Sequence, residues 1–167
     1  VMNQWALLTA LAGWPGTEPD PSLHPAEMVL DAETDARLAT RLRAAGVETR
    51  HEMIVIHVSA GNPFRRWPEA AFAALVSALA LNDERRRIIL SSGPSDRAAA
   101  DRIGRAARRE LGPGRGDQVL EFGDVDLVEL RALIERSALF IGGDSGPLHI
   151  ASTTRTPVVG IYGPTLS

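Results

Sequence analysis

The chain contains no cysteine among its 167 residues, and this absence removes several kinds of chemistry. Thiolate catalysis, disulfide bonds and zinc sites built on cysteine are excluded, because each needs the sulfur atom. The sequence also has no basic excess, since its formal net charge is -3 at pH 7. Proteins that bind nucleic acid through its phosphates depend on such an excess, so we expect no nucleic-acid partner.

Long apolar runs are missing as well. No stretch of the sequence approaches the roughly 20 apolar residues that a membrane-spanning helix requires. The first residues lack the basic start and the small-residue cleavage site of a secretory signal peptide. What is present is 44% hydrophobic and 23% charged residues, which is typical of a globular domain with a substantial core.

From Met53 onward the apolar patterns alternate between strands and helices. The predicted strands are short apolar runs rich in β-branched residues, and each is followed by a segment with helical spacing of apolar residues: MIVIHV, RIILSS, QVLEF, ALFIGG and PVVGIYG. Such alternation is typical of βαβ crossovers. The sequence therefore predicts an α/β fold, a Rossmann-like parallel sheet with helices on both faces.

Residues 1–50 do not follow this alternation. A short helical pattern near the start leads into GWPGTEPDPSLHP, whose proline and glycine content indicates a linker. A second helix is predicted from Asp31 to Ala45, with Gly46 as its stop. The chain ends at Ser167, directly after a predicted strand, where complete doubly wound domains rarely end. We therefore expect a piece of a longer protein, in which residues 51–167 form one domain truncated at its C-terminus.

Polar residues follow the first two predicted strands, at the edge of the sheet where ligands of such folds bind. Arg65 and Arg66 stand before Trp67, and they suit either an anion at a helix N-terminus or a solvated basic pair beside a core tryptophan. Asp96, after the second strand, suits either helix capping, which the local pattern favours, or a bond to a ribose hydroxyl.

The third strand is followed by Asp124-Val125-Asp126, which has the form of the metal-binding motif of some sugar transferases. Asp126 stands where a helix N-cap belongs, so capping is favoured and no metal is expected.

After the fourth strand, capping of the next helix, whose first residues are Gly146 and Pro147, explains either Asp144 or Ser145 but hardly both. His149 lies one turn inside that helix. It could belong to a diphosphate site at the helix start or be a histidine of the core.

Three stretches together resemble the ADP-heptose:lipopolysaccharide heptosyltransferase family, which are inverting glycosyltransferases of the GT-B type. They are IHVSAG…RRWPEAAFAAL, SSGPSD and DSGPLHIAS…TPVVGIYGPT. The resemblance spans about Ile54 to Thr165 and implies the C-terminal, donor-binding half of a GT-B enzyme. It also implies that residues 1–50 are the end of the N-terminal domain and the interdomain linker.

The resemblance implies a donor site whose members follow the carboxyl ends of the strands. Ser59, Ala60 and Arg65 would meet the phosphates, Asp96 the ribose and Val125 the adenine. The diphosphate and the sugar would be held by the turn that contains Asp144, Ser145, Gly146 and His149.

The implied activity is transfer of a sugar, heptose from ADP-heptose, to a lipopolysaccharide core or related glycan. A carboxylate base in the N-terminal domain, outside this chain, would activate the acceptor hydroxyl, and Arg65 with helix amides would stabilise the leaving nucleotide without a metal or other cofactor. The implied location is the cytoplasm, with peripheral contact to the inner membrane's inner face. Two alternatives stay open: a stand-alone nucleotide-binding module, and another GT-B nucleotide-sugar enzyme such as an epimerase.

Overall fold

The computed structural model describes residues 7–14, 16, 20, 25–59, 66–123 and 125–163, and in this part of the chain five strands form one sheet. The strands are β1 (Glu52–His57), β2 (Arg86–Ser91), β3 (Val119–Glu121), β4 (Leu139–Gly143) and β5 (Val158–Ile161). All neighbouring strands run parallel, in the order β3-β2-β1-β4-β5. The predicted Rossmann-like parallel sheet is confirmed, and the sequence located each strand to within two residues.

The described α-helices are α1 (Ala32–Ala44), α2 (Glu69–Asn82), α3 (Arg97–Leu111), α4 (Leu127–Glu135) and α5 (Gly146–Ala151). Short 3-10 turns lie at Leu7–Ala10, Pro94–Asp96 and Gly116–Gln118. The first of these is the described part of the helical pattern predicted near the start of the chain. None of the described helices combines the length and the apolar character needed to cross a lipid bilayer.

The ends of α1 follow from its sequence, as predicted. Asp31 stands at the N-cap, and its carboxylate accepts a hydrogen bond of 2.8 Å from the backbone amide of Thr34. This bond satisfies one of the amides that the first turn of a helix leaves without a partner. Gly46 follows the last turn with φ +81°, a conformation that favours glycine and ends the helix.

Helices cover the sheet on both faces, which confirms the second part of the fold prediction. Alternate residues of a strand point to opposite faces. Ile54 and Ile56 of β1 join an apolar cluster with residues of α2 and α3, whereas Val55 joins a second cluster with residues of α1, α4 and α5. Because both faces are buried, the strands need nearly continuous apolar runs, and these runs are what the sequence shows.

Helix α1, which the sequence places in the segment before the predicted domain boundary, packs on the sheet. Its Leu38 and Leu42 are buried in the second apolar cluster. Arg136, at the end of α4, donates two hydrogen bonds of 2.7 Å to the carboxylate of Asp35. Arg41 makes a further ion pair of 2.6 Å with Glu129 of α4. The boundary between residues 50 and 51 stays a prediction.

Replacing Leu38 tests whether α1 unfolds together with the sheet. The side chain of Leu38 is 0% exposed, so Leu38→Ala leaves a cavity and should lower the free energy of unfolding by about 2–5 kcal/mol. Urea unfolding of the two proteins measures this difference. Leu81→Ala is the matched control, because Leu81 is 52% exposed and its loss should cost less than about 0.5 kcal/mol. Equal effects of the two substitutions would mean that α1 lies outside the cooperative unit.

Candidate functional site

A cleft of about 360 Å³ lies at the carboxyl ends of the central strands. The order of the sheet changes direction between β1 and β4, and ligands of open α/β sheets bind where this happens. The segments after β1 and β2 contribute mainly polar residues to the cleft: His57, Ser59, Arg66, Ser92, Ser95 and Asp96. Gly93 and Pro94 lie between these polar residues. The start of α4 and the segment after β4 contribute mainly apolar residues: Val125, Leu127, Leu130, Ser145 and Pro147.

The cleft brings together four of the predicted site residues, although they are far apart in the sequence. Ser59, Asp96, Val125 and Ser145 all line it. Asp144, Gly146 and His149 lie on the adjoining turn and helix and are not among the lining residues. Ala60 and Arg65 lie outside the described residues, so their predicted contacts with phosphates stay predictions.

Asp96 is the buried carboxylate of the cleft. The residue is only 7% exposed, and its Oδ1 lies 3.1 Å from a guanidinium nitrogen of Arg66. The hydroxyl of Ser95 donates to the other oxygen at 3.3 Å. Asp96 occupies the N-cap position of α3, but its side chain accepts no capping hydrogen bond. The capping interpretation is therefore wrong, because the carboxylate is held by Arg66 and Ser95 instead.

Arg66 lines the cleft, where its guanidinium pairs with Asp96 although 44% of its side chain is exposed. This pair with a carboxylate of the protein does not test whether the basic segment binds an anion, so that interpretation stays a prediction. Trp67 is exposed and makes an edge-to-face contact with the buried ring of Phe72, with the ring centres 5.1 Å apart. The interpretation of Trp67 as a core residue is therefore wrong.

Ser59 connects the segments that follow β1 and β2. Its buried hydroxyl accepts a hydrogen bond of 2.9 Å from the backbone amide of Gly93. A serine hydroxyl that accepts one bond still has its own proton to donate. Ser59 can therefore hold the two segments together and donate to an anion in the cleft.

His57 is a cleft residue that the sequence did not single out. It is 5% exposed, and its Nδ1 lies 3.0 Å from the hydroxyl of Ser91. Burial lowers the pKa of His57 from 6.5 to about 4, although the nearby charge of Asp96 acts in the opposite direction. The imidazole is thus neutral at neutral pH. The available signal was its position in the apolar run MIVIHV, where a polar residue is unusual.

The side chain of Ser145 does not cap α5. Ser145 holds the N-cap position of α5, but its hydroxyl donates 3.1 Å to the carbonyl oxygen of Gly143 and caps no amide. The capping interpretation of Ser145 is therefore wrong. His149 is exposed on α5, so the core-histidine interpretation is wrong as well. Asp144 is half-buried and Gly146 is exposed.

Asp126 caps α4, as predicted. Its Oδ1 accepts a hydrogen bond of 2.7 Å from the backbone amide of Glu129. Asp124 lies outside the described residues. Among the residues that the structure describes, no three histidine, aspartate or glutamate side chains come close enough together to hold a metal ion.

The cleft suits a ligand with three chemically different parts. Asp96 can accept hydrogen bonds from hydroxyl groups, whereas Ser59 can donate to an anion. Val125, Leu127 and Leu130 offer apolar surface to a flat ring. A nucleotide has all three parts: a base, a ribose and phosphates.

Comparisons with known proteins point to one family. The model of glycosyltransferase family 9 (heptosyltransferase) matches residues 1–167. Lipopolysaccharide heptosyltransferase 3 of Escherichia coli (strain K12) is 33% identical over 131 residues, which cover 77% of this chain and 35% of that protein. The chain thus spans about a third of the length of the curated relatives it matches.

Solved structures share the fold. The glycosyl transferase family 9 protein of Veillonella parvula DSM 2008 superposes with a TM-score of 0.72 at 20% identity, covering 84% of this chain and 38% of that one. The Escherichia coli ADP-heptose lps heptosyltransferase II superposes with a TM-score of 0.71 at 21% identity, covering 92% of this chain and 43% of that one. Both comparisons support the α/β architecture.

The buried imidazole should make the stability of the protein depend on pH. The unfolded chain binds a proton at His57 below about pH 6.5, whereas the folded protein binds it only near pH 4. Stability should therefore fall as the pH decreases from 6.5 to 4, and a shift of this size corresponds to about 3 kcal/mol. Urea unfolding across this range should show a shallower dependence for His57→Gln than for the parent. His149→Gln, which changes an exposed histidine, is the control and should keep the parent's dependence. Equal slopes for His57→Gln and the parent would contradict the assignment.

Proposed function

The chain belongs to glycosyltransferase family 9, the heptosyltransferases, and on that premise we propose that it binds the nucleotide of an ADP-sugar donor. One observation carries the proposal. Ser59, Asp96, Val125 and Ser145, which the resemblance assigns to the donor, line a single cleft at the switch point of the sheet. The proposed donor sugar is heptose, because ADP-heptose is part of the name of one structural relative, the Escherichia coli ADP-heptose lps heptosyltransferase II.

Each part of the proposed donor has chemically suitable residues. Asp96, a carboxylate, would accept hydrogen bonds from the ribose hydroxyls. Val125 and its apolar neighbours would pack on the adenine ring. Ser59 and the turn that contains Asp144 to Gly146 would hold the diphosphate and the sugar, together with Arg65.

The proposed reaction is direct displacement at the anomeric carbon of the sugar. A hydroxyl of a lipopolysaccharide core or related glycan forms the new bond to that carbon, and the bond to the diphosphate oxygen breaks. The acceptor's proton passes to a carboxylate base, which we place outside this chain. The task of the cleft is then to stabilise the negative charge that develops on the departing ADP.

The family match favours this function over the two alternatives, a stand-alone nucleotide-binding module and an epimerase. The proposed location is the cytoplasm, where the whole protein would meet a lipid-linked acceptor at the inner face of the inner membrane. A peripheral contact with that membrane belongs to the proposal for the whole protein.

Binding and turnover by the 167-residue chain test the proposal. The chain should bind ADP in a calorimetric titration, and Asp96→Asn should weaken that binding by about 1.5–3 kcal/mol if one hydrogen bond to the charged carboxylate is lost. The chain should transfer no sugar from an ADP-sugar to an acceptor, because the proposed base is not part of it. A chain that does not bind ADP would contradict the donor site, whereas turnover would contradict the location of the base.

Chelation tests the proposed absence of a metal from donor binding. The ADP affinity should be the same with and without EDTA, since the proposal assigns the diphosphate to protein groups instead of a cation. The paired titrations use one protein preparation. Loss of affinity in EDTA, with recovery on addition of Mg²⁺ or Mn²⁺, would show that a metal takes part and would return attention to Asp124 and Asp126.

A further inference from the structure

The two side chains of the Arg66–Asp96 ion pair differ in their exposure to solvent. The side chain of Asp96 is 9% exposed, whereas that of Arg66 is 44% exposed. An ion pair between two exposed side chains contributes little to the free energy of unfolding. A buried carboxylate that loses its cation is costly, however, because its charge is left without compensation. The main effect of Arg66 is therefore to compensate the charge of the buried Asp96 carboxylate.

Arg66 and Ser95 restrict how the carboxylate of Asp96 can turn. The guanidinium holds Oδ1 at 3.1 Å, and the hydroxyl of Ser95 approaches Oδ2 at 3.3 Å. An ionised carboxylate has about four acceptor positions, two on each oxygen. With one position on each oxygen already used, each oxygen retains one for a ligand. Two neighbouring acceptors of this kind match the two adjacent hydroxyls of a ribose.

We propose that Arg66 is a positioning residue that orients Asp96 toward the 2′- and 3′-hydroxyls of the nucleotide, and so sets the preference for ribonucleotides. The inference rests on the proposed function, because it assumes that a nucleotide occupies the cleft. It assigns a role to Arg66, which differs from the phosphate contact that the family resemblance implies for its neighbour Arg65. Arg66 acts through the carboxylate and not by binding the ribose itself.

Two nucleotides measure this preference in calorimetric titrations of the 167-residue chain: ADP and 2′,3′-dideoxy-ADP. The parent should bind ADP at least about tenfold more tightly, because the dideoxy compound leaves the acceptors of Asp96 without hydroxyl partners. In Arg66→Gln this ratio should fall toward one, mainly through weaker binding of ADP. Arg66→Lys, which keeps the positive charge, should recover part of the ratio.

Arg102→Gln is the matched control. Arg102 is a half-exposed arginine that holds Glu69 in an ion pair of 2.6 Å, away from the cleft. Its replacement should leave the ratio at the parent's value. Thermal melting followed by circular dichroism checks that all variants are folded.

A double-variant cycle separates action through Asp96 from direct contact with the ligand. In an Asp96→Asn background, Arg66→Gln should change neither the affinity for ADP nor the ratio. A further loss of ADP affinity in that background would overturn the positioning role, because Arg66 would then contact the nucleotide itself. Equal losses for ADP and dideoxy-ADP in Arg66→Gln alone would overturn it too, since they indicate general attraction of an anion.

The outcomes for the parent distinguish this inference from the proposed function. If the parent binds neither nucleotide, the proposed function fails and the inference fails with it. If the parent prefers ADP and Arg66→Gln keeps the full preference, only the role of Arg66 is overturned.

Discussion

Strand β1 is hydrogen-bonded along both edges and covered on both faces, and the positions of the other elements follow from that burial. A parallel strand in this position needs helices above and below it, because its apolar side chains alternate between the two faces. The helices α2 and α3 meet this need on one face, and α1, α4 and α5 meet it on the other. Strands β2 and β3 therefore lie on one side of β1, and β4 and β5 lie on the other. The cleft opens between them, at the carboxyl ends of β1 and β4.

The electrostatics of the cleft result from the same burial. The carboxylate of Asp96 lies at the edge of the core, and a guanidinium nitrogen of Arg66 lies 3.1 Å from it. His57, which is more deeply enclosed and has the hydroxyl of Ser91 as its partner, is neutral instead. The cleft thus combines one compensated ion pair with neutral donors, and its apolar end at Val125 and Leu130 carries no charge. The cleft can therefore bind a polar ligand, and when no ligand is bound its described residues hold no uncompensated charge.

The sequence predicted those features that depend on nearby residues. The strands, the helices, the stop at Gly46 and the cap at Asp126 follow from periodicity or from the chemistry of one turn. Capping by Asp96 and Ser145 was equally plausible locally, but Arg66 and the Gly143 carbonyl bind their side chains instead. The partner of Asp96 depends on how segments meet in three dimensions, which periodicity does not report. The partner of Ser145 lies two residues earlier in the same turn, where a serine hydroxyl can bind a backbone carbonyl instead of capping the helix. The exposure of His149 could not be predicted from its position one turn inside a helix, whereas the family resemblance did identify four residues that share the cleft.

Helix α1 has a consequence for the way the chain folds during its synthesis. The partner of Asp35 is Arg136, 101 residues later in the sequence, so α1 leaves the ribosome long before the helix on which it docks. At about 5–20 residues per second, the delay is roughly 5–20 s. During this time the side of α1 that packs on α4 in the folded protein has no cover. Nascent chains of this protein should therefore be substrates for chaperones that bind exposed apolar segments, until α4 is complete.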